Sequence, residues 1–204
     1  SSANDVVGEN QMVTDAMSQE ILDRYKKVSV ATVYGGVLGM GYEPCFMRGV
    51  KAFTLGEHLV GRARTLRFVP PRPDIQKETR RRADSPEYQA MGSCELGDVM
   101  VMDAVGRSWA SIGGDVKLFQ LKLVGAEGLV TDGAIRDFDA VKSYGLKLFA
   151  GGRTGAAGLP DVWPYEANVA IQCGGVAVRP GDVITADDDG VVVVAASIAS
   201  QVID

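Results

Sequence analysis

Two short stretches carry residue types that could do chemistry together. The first is Gly113-Gly114-Asp115-Val116-Lys117, and about twenty residues later comes Asp132-Gly133-Ala134-Ile135-Arg136-Asp137. Paired glycines that open a helix let backbone N–H groups approach a ligand with no side chain in the way. The helix N-terminus adds partial positive charge, so the first stretch suits a carboxylate or a phosphate. Arg136 falls just past the end of an expected strand, the edge at which open α/β sheets place ligands. A guanidinium there can grip a carboxylate through two hydrogen bonds. Asp137 beside it offers oxygen to a hard cation. Each element also has a plainer use. Asp115 and Asp137 are good helix caps, Arg136 can be an ordinary ion-pair partner, and Gly113-Gly114 can be only a turn. Spacing leaves both readings open.

Composition narrows the chemistry. The 204 residues carry 21 Lys and Arg against 26 Asp and Glu, a net charge of −5, with one histidine, His58, and three cysteines, Cys45, Cys94 and Cys173. One histidine and no C-x-x-C pair exclude the usual zinc sites, so a metal would rest on carboxylate oxygens, which points to Mg²⁺ or Mn²⁺. The acidic balance leaves no electrostatic footprint for nucleic acid. Unclustered cysteines in odd number read as a reduced, cytoplasmic protein. No stretch approaches the ~18 apolar residues of a membrane span. Residues Ser1 to Gln11 are polar and lack the order of a secretory signal. Residues 1–12 are therefore expected to form a loosely attached tail and residues 13–204 a single domain.

The elements that must position the two stretches follow from periodicity. Thr14 is placed to cap a helix through about Lys27, with Met17, Ile21, Leu22 and Tyr25 on one face. Ser29 is placed to cap a second through about Val37, broken by Gly35, Gly36, Gly39 and Gly41. No strand precedes that glycine run, so it does not read as a dinucleotide loop. Three segments share one design, a glycine and an acid at a turn followed by a β-rich run: Gly56-Glu57-His58-Leu59-Val60, Gly97-Asp98-Val99-Met100-Val101 and Gly181-Asp182-Val183-Ile184. A fourth β run, Val191 to Val194, follows the turn Asp188-Asp189-Gly190. Between them the pattern gives a helix from about Asp115 to Leu123 and a strand from Gly128 to Thr131. A helix from about Asp137 to Tyr144 and a strand from Lys147 to Ala150 follow. Such alternation predicts an α/β fold, a mixed sheet covered by helices. The segment from Arg62 to Arg82, with Pro70, Pro71 and Pro73, reads as a solvated loop or as an inter-subunit or anion-binding edge.

With these pieces in hand, the chain resembles the family that joins the regulator of ribonuclease activity A to the class II 4-hydroxy-4-methyl-2-oxoglutarate/4-carboxy-4-hydroxy-2-oxoadipate aldolases. The matching stretches are Val28 to Val33, Leu59 to Leu66, Gly97 to Asp103, the block from Gly113 through Asp137, and Arg179 to Val194. The resemblance implies a swivelling β/β/α-type domain assembled as a homotrimer or homohexamer, with active sites at subunit interfaces. The family's substrate-binding Gly-Asp-Leu-Leu stretch falls on Gly114-Asp115-Val116-Lys117, and its Arg-Asp pair on Arg136-Asp137. By resemblance, Asp137 ligates the divalent metal, Asp115 reaches it through water, and Arg136 binds substrate and stabilises the enolate. Ribonuclease regulators typically lack the aspartate after the arginine, so Asp137 favours the enzyme branch. Lys117 departs from the family's leucine. The neighbouring-subunit acid of some aldolases has no assigned position here, and Asp187, Asp188 and Asp189 read as the turn before the last strand.

The expected reaction is metal-dependent retro-aldol cleavage of a 4-hydroxy-2-oxo acid, of the 4-hydroxy-4-methyl-2-oxoglutarate type, to pyruvate and a second carbonyl product. Metal and Arg136 would stabilise the charge that develops on the keto oxygen. Oxaloacetate decarboxylation passes through the same enolate and is the implied side activity. His58 reads as a satisfied structural histidine, and no residue stands out as general base. Two other readings are a Schiff-base aldolase using Lys117, Lys122, Lys142 or Lys147, and a non-enzymatic, protein-binding regulator of ribonuclease activity.

Overall fold

The structure, a computed structural model, describes residues 18–204. It begins with helix α1 (Gln19–Tyr25), capped by the Ser18 hydroxyl, which accepts from the Ile21 amide. Thr14 and Met17, the expected cap and an expected face residue, lie outside the described residues. Helix α2 (Val30–Gly39) is capped by Ser29 as expected, through the Thr32 amide. It runs past the expected end at about Val37 to Gly39, with the left-handed Gly41 (φ 76°) just beyond. Burial of Val33 and Val37 against the C-terminal helix outweighs the roughly 1 kcal/mol that each glycine costs a helix.

The main sheet is built from β1 (Lys51–Ala52), β2 (Leu59–Val69), β3 (Asp98–Asp103), β5 (Gly128–Thr131), β7 (Lys147–Ala150), β9 (Trp163–Ala167), β12 (Val183–Asp187) and β13 (Gly190–Val194). Its order is β1-β7-β5-β3-β2-β12-β13. Strands β2, β3, β5 and β7 run parallel, whereas β1, β12 and β13 run antiparallel to their neighbours. The far edge of β2 is shared: its first half pairs with β12 and its last four residues with β9. The three repeated turn designs hold, with Gly56, Gly97 and Gly181 at φ of 78°, 85° and 92° just ahead of β2, β3 and β12. The turn of Asp187, Asp188 and Asp189 closes the β12–β13 hairpin, with Asp187 opposite Gly190.

Alternation along the central strands sorts the core into two faces, as the period of two requires. Met100, Met102, Leu129 and Leu148 face α4 (Pro86–Gly92), α5 (Asp115–Leu123) and α6 (Phe138–Ser143). Val99, Val101, Val130 and Phe149 face the hairpin β10–β11 (Ile171–Cys173, Val176–Val178) and the end of the sheet. All six residues of β3 are buried, the mark of a parallel strand covered on both sides. A third core packs α1, α2 and the last helix, α7 (Ala199–Ile203), on Val60, Val183 and Val192.

The Arg-rich segment differs from the loop expectation in its first part. Arg62, Arg64 and Arg67 lie on β2. Arg62 Nε and Arg64 Nε stand 2.8 and 3.0 Å from the fully buried Asp98 carboxylate, and Arg67 pairs with Glu166 at 3.0 Å. Their aliphatic stems extend the β alternation while the charged heads reach partners, which is why charge alone misread them. Beyond Val69 come α3 (Pro73–Glu78) and a short 3₁₀ turn, Arg82–Asp84. His58, just before β2, bonds the Thr185 hydroxyl at 3.2 Å, a structural contact as expected. No helix among the described residues is long and apolar enough to cross a membrane.

Above the main sheet sits a smaller one. Past their C-terminal ends, β3, β5 and β7 lead into β4 (Ser111–Gly113), β6 (Ala134–Ile135) and β8 (Gly152–Arg153). These three short strands form a second parallel sheet in the order β4-β6-β8. A buried polar knot fixes the loop that climbs from β3 to β4. Asp132 accepts from the amides of Ala104 (2.7 Å) and Gly106 (3.0 Å) and from Gln172 Nε2 (2.8 Å). Asp103 Oδ1 accepts from the Val105 amide and from the same Gln172 nitrogen. Burial pushes the Asp103 carboxyl above the ordinary carboxylate range.

Candidate functional site

The second tier places the two sequence stretches side by side. Strand β4 ends at Gly113 and delivers Gly114 as the N-cap of α5. Strand β6 ends at Ile135 and delivers Arg136 and Asp137 at the start of α6. The Arg136 amide donates to Gly113 O at 3.0 Å, which locks the two turns together.

The plainer uses of these residues largely fail. Asp137 occupies the N-cap of α6, yet its side chain makes no capping bond to that helix. Its backbone is left-handed, with φ 53° and ψ 44°. Instead, Oδ2 turns toward the neighbouring helix and accepts from the Asp115 amide at 3.3 Å. Asp115 Oδ1 accepts from the Val116 amide at 2.7 Å, so that carboxylate does bond within its own first turn. Arg136 has no ion-pair or hydrogen-bond partner for its side chain among the described residues.

Gly114 is required by contact rather than by backbone angle. Its φ is −123°, open to any residue, but a Cβ there would strike Asp137 Oδ2. The first turn of α5 therefore lies directly against the Asp137 carboxylate. The first amides of a helix lack intrahelical acceptors. Two are met by Asp137 and Asp115, whereas the amides of Gly114 and Lys117 meet no protein acceptor among the described residues.

All six expected site residues, Gly114, Asp115, Val116, Lys117, Arg136 and Asp137, line one open cavity of about 290 Å³. Val116 is exposed, at 82%. Of the four lysines weighed for Schiff-base chemistry, only Lys117 lines this cavity. Lys147 donates to His58 O, and Lys122 sits over the rings of Phe119 and Tyr144.

The opposite wall includes a residue that motif reading missed. Glu87, in the first turn of α4, faces Lys117 with Oε2 2.6 Å from Nζ. The contact is a short charge pair. Nothing local marks Glu87. The packing of α4 against α5 brings it there. Phe68, Val162 and Pro164 make the apolar part of that wall.

A divalent metal would find two carboxylates here, Asp137 and Asp115. Among the described residues, no group of three or more His, Cys, Asp or Glu converges. That donor set suits Mg²⁺ or Mn²⁺, which keep several waters and take one or two carboxylates plus substrate oxygens. The Asp137 carboxylate, free of its own helix, is the donor that fits.

The family model described as RraA-like, Aldolase/RraA, matches residues 12–193. A protein of Halalkalibacterium halodurans named "Putative 4-hydroxy-4-methyl-2-oxoglutarate aldolase" is 44% identical over 110 residues, 52% of this chain and 50% of that protein. The match thus spans about half the length of that relative. Among solved structures, Streptomyces coelicolor RraAS2, described as an unusual member of the RNase ES inhibitor RraA protein family, superposes with a TM-score of 0.83 at 31% identity. That match covers 92% of this chain and 91% of the other. The RNA-processing inhibitor RraA from Thermus thermophilis shares the fold alone, with a TM-score of 0.57 at 23% identity over 77% of this chain and 89% of that one.

Proposed function

Because the chain belongs to the RraA-like Aldolase/RraA family, we propose that it is a divalent-metal-dependent aldolase. It cleaves a 4-hydroxy-2-oxo acid, of the 4-hydroxy-4-methyl-2-oxoglutarate type, to pyruvate and a second carbonyl compound. The observation that carries this reading is the state of the Arg136–Asp137 pair. The fold places both at one helix start and uses neither side chain to cap that helix or to form an ion pair. Charges that no ion pair neutralises, held beside two unpartnered amides, are what a reactive site keeps.

Asp137, with Asp115 beside it, would hold Mg²⁺ or Mn²⁺, which would supply Lewis-acid stabilisation of charge on the keto oxygen. The chain's own residues do the rest. The amides of Gly114 and Lys117 and the dipole of α5 hold the substrate's 1-carboxylate. Arg136 orients the 2-oxo group and stabilises negative charge as it develops. In the bond-breaking step the 4-hydroxyl loses its proton, a carbonyl forms at C4, and the C3–C4 electron pair becomes pyruvate enolate. Protonation at C3 then gives pyruvate. Oxaloacetate would lose CO₂ through the same enolate.

The exposed apolar stripe of Val116, Phe119 and Leu123 runs along α5 beside the cavity. It supports assembly as a homotrimer or homohexamer with sites near subunit interfaces. The same stripe favours a second reading, a non-enzymatic regulator that binds a ribonuclease through this face.

One assay separates them. Pyruvate release is measured across 4-hydroxy-2-oxo acids and oxaloacetate, with Mg²⁺ and with EDTA. Metal-dependent release is expected. Release that survives EDTA and is abolished by borohydride with pyruvate would move the chemistry to Lys117. No release from any substrate, with a cellular effect kept by Asp137→Ala, would establish the regulator.

A further inference from the structure

We propose that the Lys117 ammonium grips the second carboxylate of a dicarboxylic substrate, the one carried at C5. The inference rests on the aldolase reading and deepens it. It assigns a partner to the part of the substrate that the α5 amides and Arg136 leave unbound.

The lysine is built into the wall. Lys117 lies in the first turn of α5, and its stem folds back over the end of β4. Its Cδ would stand 3.3 Å from a Cβ at Gly113. The ammonium is carried toward α4, where it meets Glu87 Oε2 at 2.6 Å. Side-chain exposure is 13% for Glu87 and 28% for Lys117, so the carboxylate is the more deeply buried of the two and the ammonium the more open. Both residues line the same cavity as Arg136 and Asp137.

The chemistry follows from that arrangement. An ammonium carries three N–H donors and no acceptor. The charge pair with Glu87 engages one side of it and holds it in place. The remaining donors are open to a second anion. A lysine loose on a helix surface gives up rotamer freedom when it binds, whereas one already tethered gives up less. Among the described residues, Arg136 and Lys117 are the cations that line the cavity. Arg136 serves the 2-oxo group and the α5 amides serve the 1-carboxylate, which leaves Lys117 for a carboxylate at the other end.

That contact would also serve the bond-breaking step. In a 4-hydroxy-2-oxoglutarate C5 is bonded directly to C4. A grip on its carboxylate therefore orients the C3–C4 bond against the 2-oxo group held at the other end. The product that leaves with C4 keeps the carboxylate and departs as a 2-oxo acid.

Two ligands that cannot be cleaved read binding apart from turnover: 2-oxoglutarate, which ends in a carboxylate, and 2-oxopentanoate, which ends in a methyl. Their dissociation constants are measured by calorimetry with Mg²⁺ on the wild type, on Lys117→Leu and on the double variant Glu87→Gln/Lys117→Leu. The wild type is expected to bind 2-oxoglutarate at least about tenfold more tightly, the size of one hydrogen bond to a charged group. Lys117→Leu should erase that preference. The double variant also removes the carboxylate that Lys117→Leu leaves uncompensated, and it has the net charge of the wild type. It should lack the preference too. Pyruvate release from 4-hydroxy-2-oxoglutarate against 4-hydroxy-2-oxopentanoate should follow the same pattern, chiefly through KM.

A wild type that binds both ligands alike, or neither, or favours 2-oxopentanoate overturns the proposal. So does a preference that survives in Lys117→Leu. A preference restored in the double variant overturns it as well, because the loss in Lys117→Leu would then be repulsion by Glu87 and not a lost grip. The aldolase reading is judged separately and fails if no 4-hydroxy-2-oxo acid yields pyruvate. Should Lys117→Leu not fold, the double variant carries the test.

Discussion

Replacing Gly114 with alanine probes the contact on which the site is built. The backbone at Gly114 is extended, so alanine fits it without torsional strain. The only obstacle is Asp137 Oδ2, which stands where the new methyl would go. Relieving the overlap requires a shift of about 1 Å, and misplacement on that scale near reacting atoms costs about 10²-fold in rate. Overpacking of this kind costs about 1–3 kcal/mol. Asp137 is exposed and can swing aside, which puts the stability cost at the low end. Loss of unfolded-chain freedom offsets it by about 0.4–1 kcal/mol. The melting temperature should fall by only about 2–4 °C per kcal/mol of net loss. Activity should therefore collapse while the fold barely responds. A four-protein cycle checks the cause, using wild type, Gly114→Ala, Asp137→Gly and the double variant, each followed by thermal melting and by pyruvate release. With the carboxylate gone, Gly114→Ala should become neutral or slightly stabilising. An equal melting penalty in both backgrounds would refute the collision, and undiminished pyruvate release from Gly114→Ala would refute the role of this contact in the reaction.

Asp137→Gly should itself raise the melting temperature while abolishing metal-dependent pyruvate release, because a left-handed non-glycine residue costs about 1–2 kcal/mol. A melting temperature at or below wild type would contradict this. Val105 is also left-handed, at φ 60°, and lies outside the cavity lining. Val105→Gly should stabilise by about 1 kcal/mol with activity retained, read by the same melts. Arg136→Lys keeps the charge but loses the two-pronged grip, and kcat/KM for pyruvate release should drop by at least about tenfold. Asp103 has its folded pKa raised by burial above the ordinary 3.8. Between those values the native state binds more protons than the unfolded chain, so this group makes stability fall as pH rises through that window. Asp103→Asn should flatten that slope relative to wild type in melts from about pH 3 to 7. An unchanged slope would show that Asp103 does not titrate there.

The parts of the fold set by local pattern were legible. Continuous apolar runs such as Asp98–Asp103 and Gly190–Val194 became fully buried strands, and Ser29 capped its helix. The convergence of the candidate site residues on one cavity was legible because each half is contiguous: Gly114 to Lys117 and Arg136-Asp137 sit at helix starts, which sequence marks well. What escaped were features settled by tertiary contact. Glu87 reaches the cavity only because α4 packs beside α5. The role of Asp132 escaped too: its carboxylate gathers amides and Gln172 from distant segments. The left-handed backbone of Asp137 was not marked either, since aspartate tolerates that conformation but its identity alone does not say where it adopts it.

The two-tier arrangement of strands has an evolutionary consequence. Arg136 and Asp137 project from the end of a two-residue strand, above the sheet whose faces hold the apolar cores. Folding and chemistry are thus assigned to different floors of the molecule. A lineage on this scaffold could replace the Asp137 carboxylate without disturbing the apolar cores that hold its architecture. The exposed stripe on α5 would survive the change intact. Change at the candidate site need then cross no valley of misfolding.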